Sequence, residues 1–219
     1  MKSCFQTLAD RVRAFEAVDL YPVISSEFTN GRPVLEILRG VAAGGARIVQ
    51  LREKNLALGA FYELATAARA IANEHRMLLL IDDHLDIALL SGADGVHLGQ
   101  EDLPLRPVLE SAPELLIGSS THNLTEALAA ETAGVGYLNI GPIYPTRTKS
   151  VPCGAVGLEM LQEVSRRIHT PFSVMGGIKE RHLPELLAAG ARHIAMVTEI
   201  TQAPDVAART SELRRYFHA

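Results

Sequence analysis

The sequence has no tryptophan and few aromatic residues of any kind. Aromatic residues make up 5% of its 219 residues, which disfavours the base-stacking surfaces that single-stranded nucleic acids need. The formal net charge is only -4, so the chain also lacks the broad positive field that attracts a nucleic acid. We therefore expect no nucleic-acid partner.

Long hydrophobic runs and paired cysteines are missing too. No stretch approaches the roughly 18 consecutive apolar residues of a membrane span, and Asp10, Arg11 and Arg13 interrupt any apolar signal sequence. Two cysteines, Cys4 and Cys153, are too few for a disulfide framework. These absences predict a cytoplasmic protein with reduced thiols and no membrane partner.

What the chain does contain is enough apolar material for one large core. Hydrophobic residues make up 47% of the sequence, so we expect a single domain over residues 1–219. Residues 1–18 are predicted to form an N-terminal helical extension. Its apolar positions recur at helical spacing, at Phe5, Leu8, Val12 and Phe15.

Short runs of Val, Ile and Leu alternate with longer amphipathic segments along the rest of the chain. The runs predict eight strands, at Leu20–Ile24, Ile48–Leu51, Met77–Ile81, Gly95–Leu98, Leu115–Gly118, Tyr137–Ile140, Phe172–Met175 and His193–Val197. Helices between strands imply parallel pairing through right-handed crossovers. Eight such units predict an α/β fold, a small (β/α)8 TIM barrel, rather than an open doubly wound sheet, whose Gly-x-Gly-x-x-Gly turn is absent after the first strand.

Active sites of such barrels lie at the C-terminal ends of the strands, so the residues after each strand are the candidates. After the second strand, Gln50, Arg52 and Lys54 share one face at a period of two residues. One amide and two cations converging there form an anion site. The alternative is a solvated charged loop.

Carboxylates follow the third and fourth strands. Asp83 and Asp102 are the candidates for a Mg2+ site, because hard cations take oxygen ligands. The alternative is helix capping, by Asp82 or Asp83 before Leu85 and by Asp102 before the next helix.

Hydroxyl groups and a histidine follow the fifth strand. Thr121 or Asn123 suits the cap of the next helix, which leaves Ser120 and His122 as functional candidates. A serine hydrolase is disfavoured, because the chain has no Gly-x-Ser-x-Gly turn.

The longest irregular segment, Gly141–Val156, follows the sixth strand. Thr146, Arg147, Thr148 and Lys149 place two hydroxyls and two cations in four residues, which is typical of a loop that wraps an anion.

Glycine after the seventh strand and a hydroxyl after the eighth complete the set. Gly177 and Thr198 suit a monophosphate site, although a tight turn would also explain the glycine. A diphosphate–Mg2+ site beside a monophosphate site predicts transfer of a group from a diphosphate to a phosphorylated acceptor. Since no covalent nucleophile stands out, stabilisation of the leaving group is the expected catalytic device.

These motifs resemble the thiamine phosphate synthase family, from about Tyr21 to the C-terminal helix. The segments that carry the resemblance are Gln50–Lys54, Gly95–Asp102, Ser120–His122, Gly141–Lys149 and Gly176–Ile178. The resemblance implies a TIM barrel that joins 4-amino-5-hydroxymethyl-2-methylpyrimidine diphosphate to 4-methyl-5-(2-phosphoethyl)thiazole. Diphosphate would leave first, in a dissociative, Mg2+-assisted mechanism.

The resemblance also implies a role for each matching residue. The pyrimidine diphosphate would be held by Gln50, Arg52, Lys54, Asp82, Ser120 and Lys149. The thiazole phosphate would be held by Thr146, Thr148, Gly177, Val197 and Thr198. Mg2+ would be held by Asp83 and Asp102, and the residues expected to act in catalysis are Arg52, Lys54, Ser120 and Lys149.

The chain departs from the family pattern in the first of the two aspartates after strand three. Asp82 stands where the family usually has Asn, which adds a negative charge near a polyanion; Thr198 replaces a usual Ser but keeps the hydroxyl. Two alternatives stay open: a thiazole tautomerase with His122 as proton shuttle, and a non-catalytic regulatory barrel that binds thiamine phosphates. The sequence does not decide whether the protein is a homo-oligomer.

Overall fold

Eight parallel strands close into a barrel in the order in which they occur along the chain. The computed structural model describes residues 2–146, 148 and 154–218. The strands are β1 Leu20–Ile24, β2 Ile48–Leu51, β3 Leu78–Asp82, β4 Gly95–Leu98, β5 Leu116–Thr121, β6 Tyr137–Ile140, β7 Phe172–Val174 and β8 His193–Met196. The predicted (β/α)8 barrel with a short N-terminal helix is confirmed.

Helices connect the strands and surround the barrel. They are α1 Leu8–Glu16, α2 Val34–Ala43, α3 Leu58–Glu74, α4 Leu85–Ser91, α5 Leu105–Ser111, α6 Leu124–Ala133, α7 Gly157–Ser165, α8 Leu183–Ala188, α9 Thr198–Thr201 and α10 Val206–Arg214. Short 3-10 helices lie at Ser26–Phe28, Glu180–His182 and Arg215–Phe217. Over the residues that the structure describes, no helix has both the length and the hydropathy for crossing a bilayer.

One strand is longer than the sequence predicts. β5 continues past Gly118, because Ser120 and Thr121 pair with Asn139 and Ile140 of β6. The apolar run ends at Gly118, but the length of the strand also depends on backbone hydrogen bonds to the neighbouring strand. As a result Ser120 is a strand residue and not a loop residue.

Both faces of each strand are buried, which explains the nearly continuous apolar runs. Along β3, Leu78 and Leu80 pack inside the barrel, while Leu79 and Ile81 pack against the surrounding helices. The alternation of side chains along a strand therefore divides the core into an inner and an outer layer.

The helix α1 closes the N-terminal end of the barrel. Phe15 is fully buried and stacks on the Tyr137 ring, with 4.4 Å between the ring centroids. Gly118 makes room for that ring, because a Cβ at this position would collide with it. The predicted amphipathic helix therefore fills the bottom of the barrel with Phe15, whereas Leu8 is exposed.

A buried carboxylate attaches the N-terminal segment to this end of the barrel. Asp94, just before β4, has no exposed surface and accepts hydrogen bonds from Arg69 Nη1 at 2.5 Å and Leu79 N at 2.8 Å. The hydroxyl of Ser3 also donates to it, and Arg11 Nε lies 3.6 Å away. Since Arg69 is itself fully buried, the two charges depend on each other.

Replacing Asp94 by asparagine is expected to lower the free energy of unfolding by about 3–5 kcal/mol, because the buried guanidinium of Arg69 loses its counter-charge. Urea denaturation would measure the loss. The matched control is Asp86→Asn on the exposed face of α4, where an ion pair contributes about 0–1 kcal/mol. Equal losses in the two variants would contradict a dependence of the fold on the Arg69–Asp94 pair.

Candidate active site

A cavity of about 540 Å³ opens at the C-terminal ends of the strands. It brings together residues from all eight strands or the loops that follow them. Predicted substrate-binding residues on its wall are Gln50, Arg52, Asp82, Ser120, Thr146, Thr148, Gly177, Val197 and Thr198. His122 lines the same cavity.

One side of the cavity concentrates charge. Asp82 Oδ2 lies 3.3 Å from Arg52 Nε and 3.3 Å from Lys54 Nζ. Lys54 also donates to the carboxylate of Asp83. Burial alone would lower the pKa of Lys54, but the charges of Asp82 and Asp83 outweigh it, and the pKa is raised. The two cations are thus held by carboxylates at the strand ends.

Asp83 and Asp102 lie together beside these cations. Asp83 adopts a left-handed backbone conformation with φ 61°, which aspartate tolerates better than most residues, and its N–H donates to the His97 carbonyl at 2.8 Å. Burial and a hydrogen bond with Asp83 raise the pKa of Asp102. A cation bound between these two neighbouring carboxylates would offset the repulsion between their charges.

Neither carboxylate caps a helix, so the capping alternative is wrong. His84 occupies the cap position of α4 without a side-chain hydrogen bond, and Pro104 occupies that of α5. Asp102 instead accepts from Gly99 N at 2.6 Å within its own loop. Both carboxylates therefore stay at the mouth of the barrel.

The donor set fits Mg2+ only as a site shared with a substrate. No group of three or more His, Cys, Asp or Glu side chains capable of holding a metal occurs in the described part of the chain. Mg2+ commonly takes one or two carboxylates and completes its shell with water and substrate phosphates. Asp83 and Asp102 offer two carboxylates and match that pattern.

Ser120 projects from β5 into the cavity. Its carbonyl accepts from the Gln100 amide at 2.5 Å, and its hydroxyl lies 2.9 Å from His97 Nε2. Asn123 caps α6 by accepting from Glu126 N at 2.9 Å, so the cap does not use the hydroxyl of Thr121. Ser120 is held from two sides in a fixed position.

The opposite side of the cavity is built from backbone and hydroxyl groups. Gly177, with φ 62°, approaches the loop after β6 so closely that a Cβ there would lie 2.8 Å from the Tyr144 carbonyl and collide with that of Pro145. The hydroxyls of Thr146 and Thr148 lie 2.9 Å apart. The Gly177 turn thus sets where the hydroxyls of this loop meet the cavity.

Lys149 and Arg147 fall outside the described residues, as does Cys153. The roles expected for them therefore stay predictions from the sequence.

Several cavity residues were missed by the sequence analysis. Asn139 lines the cavity and donates from Nδ2 to Ser173 Oγ at 2.7 Å. Its inward position on β6 follows from the alternation of side chains along a strand. Lys179 Nζ lies 3.3 Å from Thr198 Oγ1 and 3.2 Å from Glu199. Only the folded chain brings this lysine to Thr198, since the two are separated by 19 residues.

The sequence model of the family described as thiamine monophosphate synthase matches residues 20–200. The chain belongs to this family. Its curated relatives include the thiamine-phosphate synthase of Pelotomaculum thermopropionicum, 41% identical over 90% of this chain and 90% of the relative. The thiamine-phosphate synthase of Shouchella clausii is 40% identical over 89% of this chain and 93% of the relative. The resemblance seen in the motifs is confirmed, and membership makes the protein a transferase of the thiamine-phosphate synthase type.

A solved structure supports the same assignment. The thiamine phosphate pyrophosphorylase of Pyrococcus furiosus aligns with a TM-score of 0.85 and 35% identity, covering 92% of this chain and 96% of that one. A 3-hexulose-6-phosphate synthase aligns with a TM-score of 0.65 and 21% identity, which shows the barrel fold alone.

Replacing Gly177 by alanine is expected to destabilise the fold more than replacing Gly134. Both glycines have positive φ, but only the Cβ at position 177 would meet other atoms within 4 Å. Alanine would strain the backbone at both positions. The difference between the two losses in unfolding free energy therefore measures the collision with the loop after β6, which we expect to cost about 1–3 kcal/mol. Urea denaturation of the two variants would test this, and equal losses would show that the close approach at Gly177 is not tight.

Proposed function

We propose that this protein joins 4-amino-5-hydroxymethyl-2-methylpyrimidine diphosphate to 4-methyl-5-(2-phosphoethyl)thiazole, forming thiamine phosphate and diphosphate. Family membership supports the reaction. The observation that supports it in the structure is one cavity with charged side chains on one wall and hydroxyl and backbone groups on another. Arg52 and Asp82 line one wall, and Gly177 with the threonine hydroxyls lines the other. Lys54, Asp83 and Asp102 do not line the cavity themselves; Lys54 contacts both Asp82 and Asp83, and Asp102 lies beside Asp83.

The charged wall suits the leaving group. The bond between the pyrimidine methylene carbon and the diphosphate oxygen breaks, and its electron pair goes to that oxygen. The lone pair of the thiazole nitrogen then forms the new bond to the methylene carbon. Arg52 and Lys54 stabilise the charge that develops on the diphosphate, and Ser120 donates a hydrogen bond to it.

Mg2+ is the cofactor that the carboxylates would hold. Asp83 and Asp102 would be its protein ligands, and it would supply further positive charge to the diphosphate. The protein's own part is to fix these two carboxylates beside Lys54, through the hydrogen bond from Asp83 N and the loop bond to Asp102.

The second wall would hold the phosphate of the thiazole. Thr146, Thr148 and Thr198 offer hydroxyl donors, and Gly177 and Val197 offer a close backbone approach, which a larger side chain at position 177 would obstruct. The predicted role of Lys149, on the same loop, rests on the sequence.

Arg52→Ala is expected to lower kcat for thiamine phosphate formation by about 100-fold or more, since a cation at the leaving group is lost. Product is followed as fluorescent thiochrome after oxidation. Arg106→Ala, at an exposed position on α5, is the matched control and should retain the wild-type rate. Near wild-type activity of Arg52→Ala would contradict the assignment of this wall.

Asp82→Asn is expected to bind inorganic diphosphate with a lower Mg2+ requirement than the wild type. In the protein without substrate, the Asp82 carboxylate pairs with both Arg52 and Lys54. Asparagine keeps the shape of this side chain but removes the negative charge that competes with diphosphate for the two cations. Calorimetric titration of diphosphate at several Mg2+ concentrations measures the shift. Identical Mg2+ dependence in the two proteins would show that Asp82 does not compete with the ligand.

Isomerisation of a thiazole is the second candidate, favoured by His122. This side chain lines the cavity, and its Nδ1 lies 2.9 Å from Glu126 Oε2, an arrangement suited to a proton shuttle. The thiochrome assay for thiamine phosphate formation separates the synthase from the isomerase. Absence of thiamine phosphate, with thiazole phosphate still bound, would favour isomerisation or a regulatory binding role over the synthase.

A further inference from the structure

A chain of hydrogen bonds crosses the barrel interior and ends at Ser120. Gln50 Nε2 lies 3.1 Å from the Tyr21 hydroxyl, which lies 3.0 Å from that of Tyr137. The Tyr137 hydroxyl lies 2.8 Å from His97 Nδ1, and His97 Nε2 lies 2.9 Å from Ser120 Oγ. None of the five residues is more than 8% exposed. Four successive contacts thus link the second and fifth strands through the core.

The first contact sets the direction of the others. The amide nitrogen of Gln50 can only donate, so the Tyr21 hydroxyl accepts there and gives its single proton to Tyr137. Tyr137 in turn donates to Nδ1 of His97. A neutral imidazole that accepts at Nδ1 carries its proton on Nε2, which then donates to Ser120. Ser120 is left with its own proton to donate into the cavity.

The opposite direction would give a different site. If Gln50 offered its amide oxygen, Tyr21 would donate to it, each later bond would reverse, and His97 would be protonated on Nδ1. Ser120 would then donate to Nε2 and offer the cavity only an acceptor. A diphosphate oxygen requires a donor, so only the first direction suits an anion.

The two phenols keep their protons in this environment. Burial raises the pKa of Tyr21 and of Tyr137 well above the usual value, and the negative charge of Asp82 acts in the same direction. The two phenols therefore transmit the direction of hydrogen bonding while they stay neutral.

We propose that Tyr21, Tyr137 and His97 are positioning residues that fix His97 as its Nε2-protonated tautomer and thereby present the Ser120 hydroxyl as a donor to the leaving diphosphate. The identity of the diphosphate rests on the proposed function. The direction of the chain is a property of the protein without substrate and is tested separately.

The tautomer of His97 is the direct test. In protein labelled with 15N-histidine, the ring nitrogen shifts distinguish the two neutral tautomers, and the signal missing from His97→Gln assigns this residue among the eight histidines. The wild type is expected to be protonated on Nε2, and Tyr137→Phe to lose that preference. Protonation on Nδ1 in the wild type, or no change in Tyr137→Phe, would overturn the proposal.

Two tyrosine variants separate positioning from stability. Tyr137→Phe and Tyr21→Phe each remove one buried hydroxyl from the same layer of the core. Only the first removes the donor to His97, so kcat should fall about tenfold or more in Tyr137→Phe and clearly less in Tyr21→Phe. The KM for thiazole phosphate should stay the same in both. Losses that simply follow the melting temperature would assign the chain a structural role only.

Two amide substitutions of His97 test which ring nitrogen must donate to Ser120. The glutamine amide nitrogen reaches the place of Nε2, whereas that of asparagine reaches the place of Nδ1. His97→Gln should therefore retain about tenfold more kcat than His97→Asn. The reverse order would contradict the proposed direction.

Failure of the proposed function would be seen separately. If the wild type forms no thiamine phosphate, the coupling reaction is wrong, while the tautomer still decides the direction of the chain. Affinity for inorganic diphosphate then replaces kcat as the readout for the tyrosine and histidine variants. Unchanged affinity in Tyr137→Phe would overturn the role assigned to Ser120.

Discussion

Closure of the sheet is the constraint on which the rest of the molecule depends. Eight parallel strands in one ring turn every second side chain into a buried interior, where a polar group without a partner is costly. At the N-terminal end of the barrel, the interior is filled by apolar residues such as Leu78 and Leu80, which need no hydrogen-bond partner. Polar side chains nearer the C-terminal end avoid this cost by hydrogen-bonding to one another, as Tyr137 and His97 do. The interior therefore supplies both the stability of the barrel and an ordered support for its upper end.

Charge is distributed along the barrel according to the same constraint. At the N-terminal end, Asp94 and Arg69 are fully buried and compensate each other, and they hold the first helix in place. At the C-terminal end, Arg52 and Lys54 are partly exposed and are held by carboxylates that a ligand can displace or share. The buried Asp94–Arg69 pair stabilises the fold. The partly exposed Arg52 and Lys54 remain accessible to an anion that enters the cavity.

Much of the site could be predicted because a parallel barrel has a simple geometry. Once eight apolar runs are assigned, the residues after them, such as Arg52, Asp83 and Gly177, must meet at one end. The apolar run of β5 does not predict that Ser120 lies in the strand, because the continuation of β5 depends on pairing with β6. Asn139 and Lys179 were missed, since neither lies in a recognisable motif and their neighbours come from distant parts of the chain.

The sequence by itself determined the fold class, the family and the identity of the charged groups, because apolar periodicity and motif order are local properties of the chain. The tertiary structure decided which groups meet. Asp83 and Asp102 do not cap helices, and Asp82 pairs with both Arg52 and Lys54. Three residues from three other strands connect Gln50 to Ser120 by hydrogen bonds. Hydrogen-bond direction and charge pairing depend on distances of a few ångströms between distant residues, and these distances exist only after the barrel has closed.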